Sequence, residues 1–572
     1  MSEVPGPKVA SSSHWRHDRL LRLSLLLALL FCAYGIHWGV AEPWNPDQMV
    51  QRNLFDNDLP PFQPTDFLKP PFHTYLSFFL VRAPLRGLTY VLDIDGSYRR
   101  IIELLCARLL TATMFLGQVV LVFVISQRFF GLIAARVASL LLATSAGFVA
   151  FSHFLTVDIP VAFWMLLAFW SSQNILLRGR TRDYVLAGLF AGLAAATKYN
   201  GLAIGITIVV AHWLSGDPRI LTSDWSIWRR RLFDLRLILG VSMVIVGFIL
   251  GNPFAVLNVS GFVDDFMFNL VTTPVYGGIS QEIGYWTFFG RIVEIFGLPA
   301  SLLIGLGILF ALSRLSLRRA GRLETDGLLM LASVIGLYYL YFGSFGRLET
   351  RFVLPIAPYA LMMIGPLCAA FRLKYLAPAL AAVIGYNVLC SLYVGWRFTQ
   401  DPRMAARAWI NEHVAEGSTV EYTKHAPRPD RFIKRFEAVP MARVSGRGIL
   451  FRDMLGDNPW VADGLARFEL SEDTAWYTTD ALAQRAPDYL WIDSLEYDRF
   501  FSAIEAEHYP EVRRYFEDLL AERSDYAIVF DAVNPDVPSW IYPRQIDFLK
   551  NRMTILQRQA ASPGLPDARV DE

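Results

Sequence analysis

The chain has 572 residues, of which 54% are hydrophobic and only 18% are charged. Soluble globular proteins carry about 25% charged residues, so much of this chain must face something other than water. The formal net charge of +1 argues against a nucleic-acid binder, and the high apolar content argues against a disordered scaffold. The composition indicates a polytopic α-helical membrane protein.

Long apolar stretches recur along the first two thirds of the chain. A helix needs about 20 mostly apolar residues to cross the hydrocarbon core. Stretches of this kind lie at 20–40, 101–126, 132–151, 158–177, 184–196, 200–214, 236–251, 288–313, 327–343, 352–371 and 374–395. They predict about eleven spans in residues 1–395. The first stretch is too long for a signal peptide and is interpreted as an uncleaved anchor.

The fifth and sixth stretches are short and are separated only by Thr197–Asn200. Two interpretations are open. Either two spans meet there at a polar tip, which we favour, or one long buried helix is broken at that point.

Arginines cluster in every second loop and give the orientation. The loops that contain them hold Arg16, Arg19 and Arg22, then Arg178, Arg180 and Arg182, then Arg229, Arg230 and Arg231, then Arg314, Arg318 and Arg319. The positive-inside rule places these loops in the cytoplasm. The outer face then collects 41–100, 152–158, 197–200, 252–287 and 344–351, together with residues 396–572.

The first outer loop carries two candidate site residues. Asp47 follows Trp44-Asn45, which stands between prolines that stiffen the backbone; capping of a short helix is the alternative role for this aspartate. Lys69 begins Lys69-Pro70-Pro71 and precedes the stretch 72–92, whose pattern suits an interfacial helix. This lysine either snorkels to the membrane surface or binds an anionic headgroup.

Three further candidates lie in or beside the spans. Arg108 is inside the second span, where an ionisable residue usually faces a cavity or a partner. Asp158 precedes Ile159-Pro160 at a helix start, so it is either a cap or a site carboxylate. Lys198 stands between two short apolar segments, where an ammonium needs an anion.

The last cluster is Gly346–Pro355, with Arg347 and Arg351. The planar fork of an arginine suits a phosphate, although either arginine could instead pair with Glu349. Together the outer segments present one or two carboxylates and several cations around a cavity. This combination is typical of a site with an anionic leaving group and a base for a hydroxyl.

These residues resemble the GT-C glycosyltransferases, in particular the protein O-mannosyltransferases and the bacterial aminoarabinose lipid A transferase. The matching motifs are Asn45-Pro46-Asp47, Lys69-Pro70-Pro71, Arg108, Thr156–Pro160, Ala187–Lys198 and Arg351–Pro358. They keep a consistent order over residues 20–370. One departure is Gln48, where the family usually has a second carboxylate after the aspartate; Glu42 or Asp158 would have to replace it.

The resemblance implies a GT-C fold and an inverting transfer of a hexosyl or pentosyl group from a polyprenyl-phosphate donor to a hydroxyl of a lipid, protein or glycan. Asp47 would act as the base, and the substrate-binding residues would be Lys69, Arg108, Asp158, Lys198, Arg347 and Arg351. The expected location is the outer face of the bacterial cytoplasmic membrane, among its lipids. The sequence offers no metal-ligand cluster, and a role for a divalent ion stays open.

Residues 396–572 form a second domain with a different pattern. Asp401-Pro402 predicts the start of a helix, which ends near His413. A second helix is expected at Pro510–Arg523. Strands are expected at Ser418–Tyr422, Tyr489–Ile492 and Tyr526–Phe530. This is an extracytoplasmic α/β domain, to which no chemistry is assigned.

Three other functions are compatible with parts of the pattern. A transporter or flippase for a lipid-linked sugar would use the same outer cations, but it should contain repeated halves with matching broken helices. A structural membrane subunit would not need cations and carboxylates on one face. An oligosaccharide ligase or polymerase would belong to the same superfamily. The sequence does not distinguish which sugar, acceptor or carrier length is used.

Overall fold

The computed structural model describes residues 17–40, 44–45, 59–215, 225–275, 284–346, 348–442, 444, 455–456, 458–467, 474–501, 503–534 and 551–559. These residues fall into two compact units. The first contains the described residues of 1–37 and 47–396, and the second contains those of 38–46 and 397–572, except for 537–545. We describe each unit by itself.

The first unit is helical throughout its described length. Its α-helices are α1 Arg19–Ala33, α2 Phe72–Ser77, α3 Ala83–Val91, α4 Gly96–Phe130, α5 Leu132–Ala143, α6 Ala146–Ser152, α7 Asp158–Arg178, α8 Thr181–Thr197, α9 Ile206–Leu214, α10 Trp225–Leu232, α11 Leu235–Gly251, α12 Phe254–Leu257, α13 Val259–Thr272, α14 Gly284–Phe296, α15 Leu298–Ser316, α16 Arg322–Phe342, α17 Thr350–Val353, α18 Ala357–Met362, α19 Gly365–Ala370 and α20 Leu373–Thr399. A π-helix covers Phe78–Arg82, and 3₁₀ turns cover Tyr199–Gly205, Thr273–Val275 and Leu354–Ile356.

Several of these helices are long and apolar enough to cross a membrane. Among the described residues they are Tyr98–Phe130, Asp158–Arg178, Arg229–Gly251, Leu298–Ser316, Arg322–Phe342, Thr350–Ala370 and Lys374–His413, with α5 and α6 as an eighth, bent by 54°. The other three predicted stretches correspond to shorter helices, α1, α8 and Tyr199–Leu214. The prediction of a polytopic helical membrane protein is confirmed, while the number of spans stays a prediction.

The pair α8 and α9 resolves the alternative at Thr197–Asn200. Tyr184, near the start of α8, hydrogen-bonds through its hydroxyl to Nδ1 of His212, near the end of α9, at 2.7 Å. The two helices therefore run antiparallel, and the chain reverses at Lys198, whose backbone is extended. This is the hairpin with a polar tip that the sequence favours.

The predicted stretch 288–313 is wrong as a single helix, because α14 and α15 are separated at Gly297. Gly297 has φ of +78°, a conformation that a residue with a side chain rarely adopts. A β-carbon there would come within 2.5 Å of Tyr386. Hydropathy alone does not reveal this break, because apolar residues predominate on both sides of Gly297, although α14 also contains Arg291 and Glu294.

Glycines bring α8 and α11 into close contact. A β-carbon on Gly188 would lie 2.1 Å from the Gly240 carbonyl oxygen, and one on Gly192 would lie 2.2 Å from that of Val244. Small residues of this kind let helix backbones approach in a membrane, where dispersion rather than water exclusion holds helices together. The close packing fixes the two helices side by side.

The second unit contains a five-stranded sheet. Its strands are β1 Thr419–Tyr422, β2 Glu437–Pro440, β3 Tyr489–Asp493, β4 Tyr526–Val533 and β5 Arg552–Arg558, in the order β2-β1-β3-β5-β4. β1 pairs in parallel with β2 and β3, and β5 pairs antiparallel with β3 and β4. Its helices are α21 Pro402–His413, α22 Pro459–Arg467, α23 Thr479–Arg485, α24 Ser494–Tyr497, α25 Ala503–His508 and α26 Pro510–Leu520. Short 3₁₀ turns cover Pro429–Arg431, Ala475–Tyr477 and Asp498–Phe501.

The predicted α/β character of this unit is confirmed. The three predicted strands are β1, β3 and β4, and the two predicted helices are α21 and α26. Asp401 caps α21 by accepting from the Arg403 backbone N–H at 2.9 Å. The sequence pattern missed β2, whose side chains are mostly exposed, and β5.

Helices cover both faces of the sheet. Along β3, Leu490 and Ile492 pack with Phe516 of α26 in one buried cluster. Trp491 lies on the opposite face, in a second cluster with Ile410 of α21. Because successive strand residues point to opposite faces, a strand buried on both sides reads as a continuous apolar run, as Tyr489–Ile492 does.

The second unit also includes Trp38 and Trp44. The guanidinium of Arg403, which is fully buried, lies 5.5 Å from the Trp38 ring and 4.8 Å from the Trp44 ring. Asp401 pairs with Arg403 at 2.7 Å and accepts from Trp38 Nε1 at 2.8 Å. A charged pair of this kind needs its extra hydrogen bonds and ring contacts to offset desolvation. The sequence analysis instead assigned both tryptophans to the helical domain, residues 1–395.

Asp493, at the end of β3, is fully buried. Its carboxylate accepts from the Leu495 backbone N–H and from Asn551 Nδ2, both at 2.8 Å. Burial raises the pKa of Asp493 to about 6, although the Arg403 charge acts in the opposite direction. The carboxyl therefore binds its proton more tightly in the folded unit than in the unfolded chain.

We expect this unit to lose stability as the pH rises from about 4 to about 6, because the raised pKa favours the protonated folded form. Asp493→Asn should remove that loss and stabilise the unit at pH 7.5 by about 3 kcal/mol, since the pKa is raised from 3.8 to about 6 and one pKa unit is worth about 1.4 kcal/mol. Limited proteolysis of the full chain at pH 5 and pH 7.5 measures the effect. Asp480→Asn, at an exposed position, is the control, and equal gains in both variants would contradict the assignment.

Candidate functional site

The candidate site begins with an ion pair between two helix ends. Lys198, at the tip of the α8–α9 hairpin, donates from Nζ to Asp158 Oδ1 at 2.9 Å. Asp158 opens α7, but the N-cap position is Val157 and no side chain caps that helix. The capping interpretation of Asp158 is therefore not supported, and its carboxylate is used to hold a cation from a hairpin 40 residues further on.

The same lysine contacts the segment that carries Arg351. Lys198 Nζ donates to the Arg351 carbonyl oxygen at 3.3 Å and lies 5.0 Å from the centre of the Phe352 ring. The Arg351 guanidinium lies 5.6 Å from that ring. Three predicted residues, Asp158, Lys198 and Arg351, thus come from distant parts of the chain to one place.

Arg351 also has a carboxylate partner. Its Nε lies 2.5 Å from Oε2 of Glu349, which is the alternative pairing that the sequence left open. The Arg351 side chain remains 26% exposed. A guanidinium has five N–H donors, which is more than a single carboxylate accepts.

Two residues that the sequence analysis missed support this segment. Glu294 of α14 accepts from the Thr350 hydroxyl, and Arg291 Nη1 lies 2.5 Å from the same carboxylate. Arg291 also donates to the Leu348 carbonyl oxygen at 2.6 Å. The short α17 is thereby fixed from the α14 side. The only sequence signal was a Glu-Arg pair at i,i+3 in an apolar stretch.

Lys69 lies in a segment that is tied to the same hairpin. Tyr199, next to Lys198, donates its hydroxyl to the Phe67 carbonyl oxygen at 2.6 Å. From α13, Asp265 accepts from the Phe67 backbone N–H at 2.7 Å and Asn269 donates to the Leu68 carbonyl oxygen at 2.7 Å. The predicted outer segments around Lys69, Lys198 and 252–287 therefore meet, and the Lys69 side chain is exposed.

A half-buried carboxyl, that of Asp66, lies close to Lys69. Burial raises the pKa of Asp66, and the Asp265 carboxylate raises it further, while Lys69 lowers it. Two acidic groups and one cation thus share this part of the surface.

Arg108 is positioned differently from the other candidates. It is fully buried in α4 and donates from Nη1 to the Ile36 carbonyl oxygen at 2.9 Å, in the loop after α1. His153 contacts the same loop through the Tyr34 carbonyl oxygen at 3.0 Å. Arg108 and His153 therefore hold the chain where it enters the predicted first outer loop. Asp47, Arg347 and Glu42 lie outside the described residues.

Buried polar groups flank the cations. Among the described residues, both ring nitrogens of His73 and the side-chain hydroxyl of Thr156 have no hydrogen-bond partner, and neither do the amide atoms of Asn200. Burial lowers the pKa of His73 to about 4, so its ring is neutral at pH 7. A buried polar group without a partner costs about 1–3 kcal/mol. These positions stand close in sequence to Lys69, Asp158 and Lys198.

No group of three or more His, Cys, Asp or Glu side chains suited to a metal ion occurs in the part of the chain that the structure describes.

Residues 103–246 match the family described as dolichyl-phosphate-mannose-protein mannosyltransferase. The predicted resemblance is confirmed over this stretch, which contains Arg108, Asp158 and Lys198. Comparison with curated proteins gave no significant match.

Two solved structures are among those to which the chain is similar. ArnT from Cupriavidus metallidurans bound to undecaprenyl phosphate is 13% identical, with 97% of this chain and 100% of that chain covered and a TM-score of 0.49. The oligosaccharyltransferase AglB from Archaeoglobus fulgidus, in complex with an inhibitory peptide and a dolichol-phosphate, is 15% identical. It covers 92% of this chain and 74% of that chain, with a TM-score of 0.43.

Proposed function

We propose that the protein is an inverting glycosyltransferase. It transfers a hexosyl or pentosyl group from a polyprenyl-phosphate donor to a hydroxyl of a lipid, protein or glycan. The reaction takes place at the outer face of the bacterial cytoplasmic membrane, with the second unit on that side. The observation that carries this proposal is the Lys198 ammonium, held at a hairpin tip between Asp158 and the Arg351 segment.

Lys198 has room for a ligand. An ammonium has three donors, and Asp158 and the Arg351 carbonyl oxygen are its two acceptors among the described residues. The side chain is 18% exposed. The remaining donor can bind a phosphate oxygen. Asp158 then orients the Lys198 ammonium, and its single negative charge does not cancel the charge of the other cations of the site.

The leaving group in the proposed reaction is the carrier phosphate. As the bond between the anomeric carbon and the phosphate oxygen breaks, that oxygen keeps the electron pair and the phosphate gains negative charge. Lys69, Lys198 and Arg351 stabilise this charge by charge-assisted hydrogen bonds, with Arg347 as a further cation. Because the phosphate is already a good leaving group, no general acid is needed.

The acceptor hydroxyl attacks the anomeric carbon from the opposite face. Asp47 takes the hydroxyl proton as the new bond forms, a role that contributes about 10²–10⁴-fold in enzymes. A single displacement inverts the anomeric configuration. Arg108 acts indirectly in this scheme, since it holds the loop that leads to Asp47 through the Ile36 carbonyl oxygen.

Purified full-length protein in nanodiscs, supplied with labelled polyprenyl-phosphate sugars and candidate acceptors, tests this function. We expect label in an acceptor, dependence on the polyprenyl phosphate, and a product whose anomeric configuration by NMR is opposite to that of the donor. Retention of configuration would contradict the single displacement. In sealed vesicles, movement of the lipid-linked sugar across the bilayer without transfer would instead identify a flippase.

A further inference from the structure

A second charged surface lies away from the candidate site, where two arginine-rich loops meet. Arg236, at the start of α11, donates from Nη1 to the Gly179 carbonyl oxygen, in the loop between α7 and α8, at 2.9 Å. The close α8–α11 packing at Gly188 and Gly240 brings the same helix ends together. We call the described residues 176–183 and 229–236 the arginine face.

The arginine face carries a large surplus of positive charge. It contains Arg178, Arg180, Arg182, Arg229, Arg230, Arg231 and Arg236, and its carboxylates are Asp183 and Asp234. Asp183 accepts from the Arg180 backbone N–H, and Asp234 accepts from that of Arg236. Each carboxylate thus accepts a hydrogen bond from the backbone. All the arginines of this face except Arg231 are exposed.

An exposed apolar surface continues from these arginines. Phe233 is 65% exposed and Leu235 is 81% exposed, between Arg229–Arg231 and Arg236. Further along α11, Ile238, Val241 and Ile245 are exposed at helical spacing on one side. Only 17% of the apolar window of the span Arg229–Gly251 is buried in the protein. Cations at one end of an exposed apolar helix suit an anionic lipid, whose charged headgroup is joined to an apolar acyl chain.

We propose that the arginine face binds an anionic phospholipid, with its phosphodiester on the arginines and an acyl chain along Ile238, Val241 and Ile245. Every cation of the arginine face is an arginine, whose planar fork binds phosphate in a bidentate manner. The apolar stripe favours a lipid over a free phosphate ion. This inference is independent of the proposed sugar transfer.

Native mass spectrometry of the full-length protein with added phosphatidylglycerol or phosphatidylcholine tests the proposal. We expect phosphatidylglycerol to bind at least about tenfold more tightly, since each basic residue near an anionic surface adds to the attraction. The double variant Arg178→Gln/Arg182→Gln should lose about 30-fold in affinity for phosphatidylglycerol, about fivefold for each removed cation, and keep its affinity for phosphatidylcholine. Arg178→Lys/Arg182→Lys should lose less, because it keeps the charge.

The matched control is Arg318→Gln/Arg319→Gln, which removes two exposed arginines from a different loop. Unchanged phosphatidylglycerol binding in this control, beside a loss in the first pair, supports the site. Equal losses in both pairs, or equal binding of the two lipids by the wild type, would overturn it. Competition by millimolar inorganic phosphate that displaces phosphatidylglycerol completely would show a phosphate-ion site and would also overturn the lipid assignment.

Discussion

Asp47→Asn is expected to reduce the rate of sugar transfer by about 10³-fold, within the range that general-base catalysis contributes. An amide has nearly the shape of the carboxylate, but it does not accept the hydroxyl proton. Donor binding depends in the proposed mechanism on Lys69, Lys198 and Arg351, so it should change little. The expected pattern is a large loss in the rate constant with nearly unchanged donor affinity.

Single-turnover transfer and equilibrium binding of a labelled polyprenyl-phosphate sugar separate these two quantities. Asp93→Asn is a suitable control, because Asp93 is an exposed aspartate with φ of +51°, a conformation that asparagine tolerates. It should transfer like the wild type. Normal transfer by Asp47→Asn would remove Asp47 from the mechanism and leave Asp158 or Glu42 as the candidate base.

The overall architecture could be predicted from the sequence because hydropathy over about 20 residues is a strong signal. The arginine clusters were also informative. The sequence placed the loop with Arg178 and the loop with Arg229–Arg231 on one side of the membrane, and Arg236, which follows the second loop, contacts Gly179 in the first. The hairpin at Lys198 followed from two short apolar segments around a polar tip. In each case one local property carries the information.

What the sequence did not reveal depends on contacts between distant residues. The break at Gly297 depends on a glycine conformation and on Tyr386, neither of which changes the hydropathy. The support of Thr350 by Glu294 joins residues that are 56 positions apart. Likewise β2 has mostly exposed side chains, so it pairs through its backbone and leaves little pattern in the sequence.

The predicted site residues divide in the same way. Their types and positions could be predicted from the sequence. A lysine or an aspartate beside a membrane span costs free energy, so it stands out among apolar residues as a candidate site residue. Their pairing was not: Asp158 could have been a cap, and the structure instead gives its carboxylate to Lys198 at 2.9 Å. This ion pair raises a question of its own, because Lys198 could serve the fold, the donor phosphate, or both.

Lys198→Ala is expected to weaken donor binding by about 10- to 100-fold, because a hydrogen bond to a charged group contributes about 1.5–3 kcal/mol. It should also destabilise the protein, since the Asp158 carboxylate, 5% exposed, would be left without its cation, a loss of about 3–5 kcal/mol for a buried pair. The double variant Asp158→Asn/Lys198→Ala removes that uncompensated charge. It should recover most of the thermal stability and none of the donor affinity.

Lys374→Ala, at an exposed lysine elsewhere in the first unit, is the control for general effects of removing a charge. Equilibrium binding of the polyprenyl-phosphate donor and thermal unfolding of all four proteins decide the matter. If the double variant regained donor affinity together with stability, Lys198 would be a structural partner of Asp158 and the phosphate would have to be bound elsewhere.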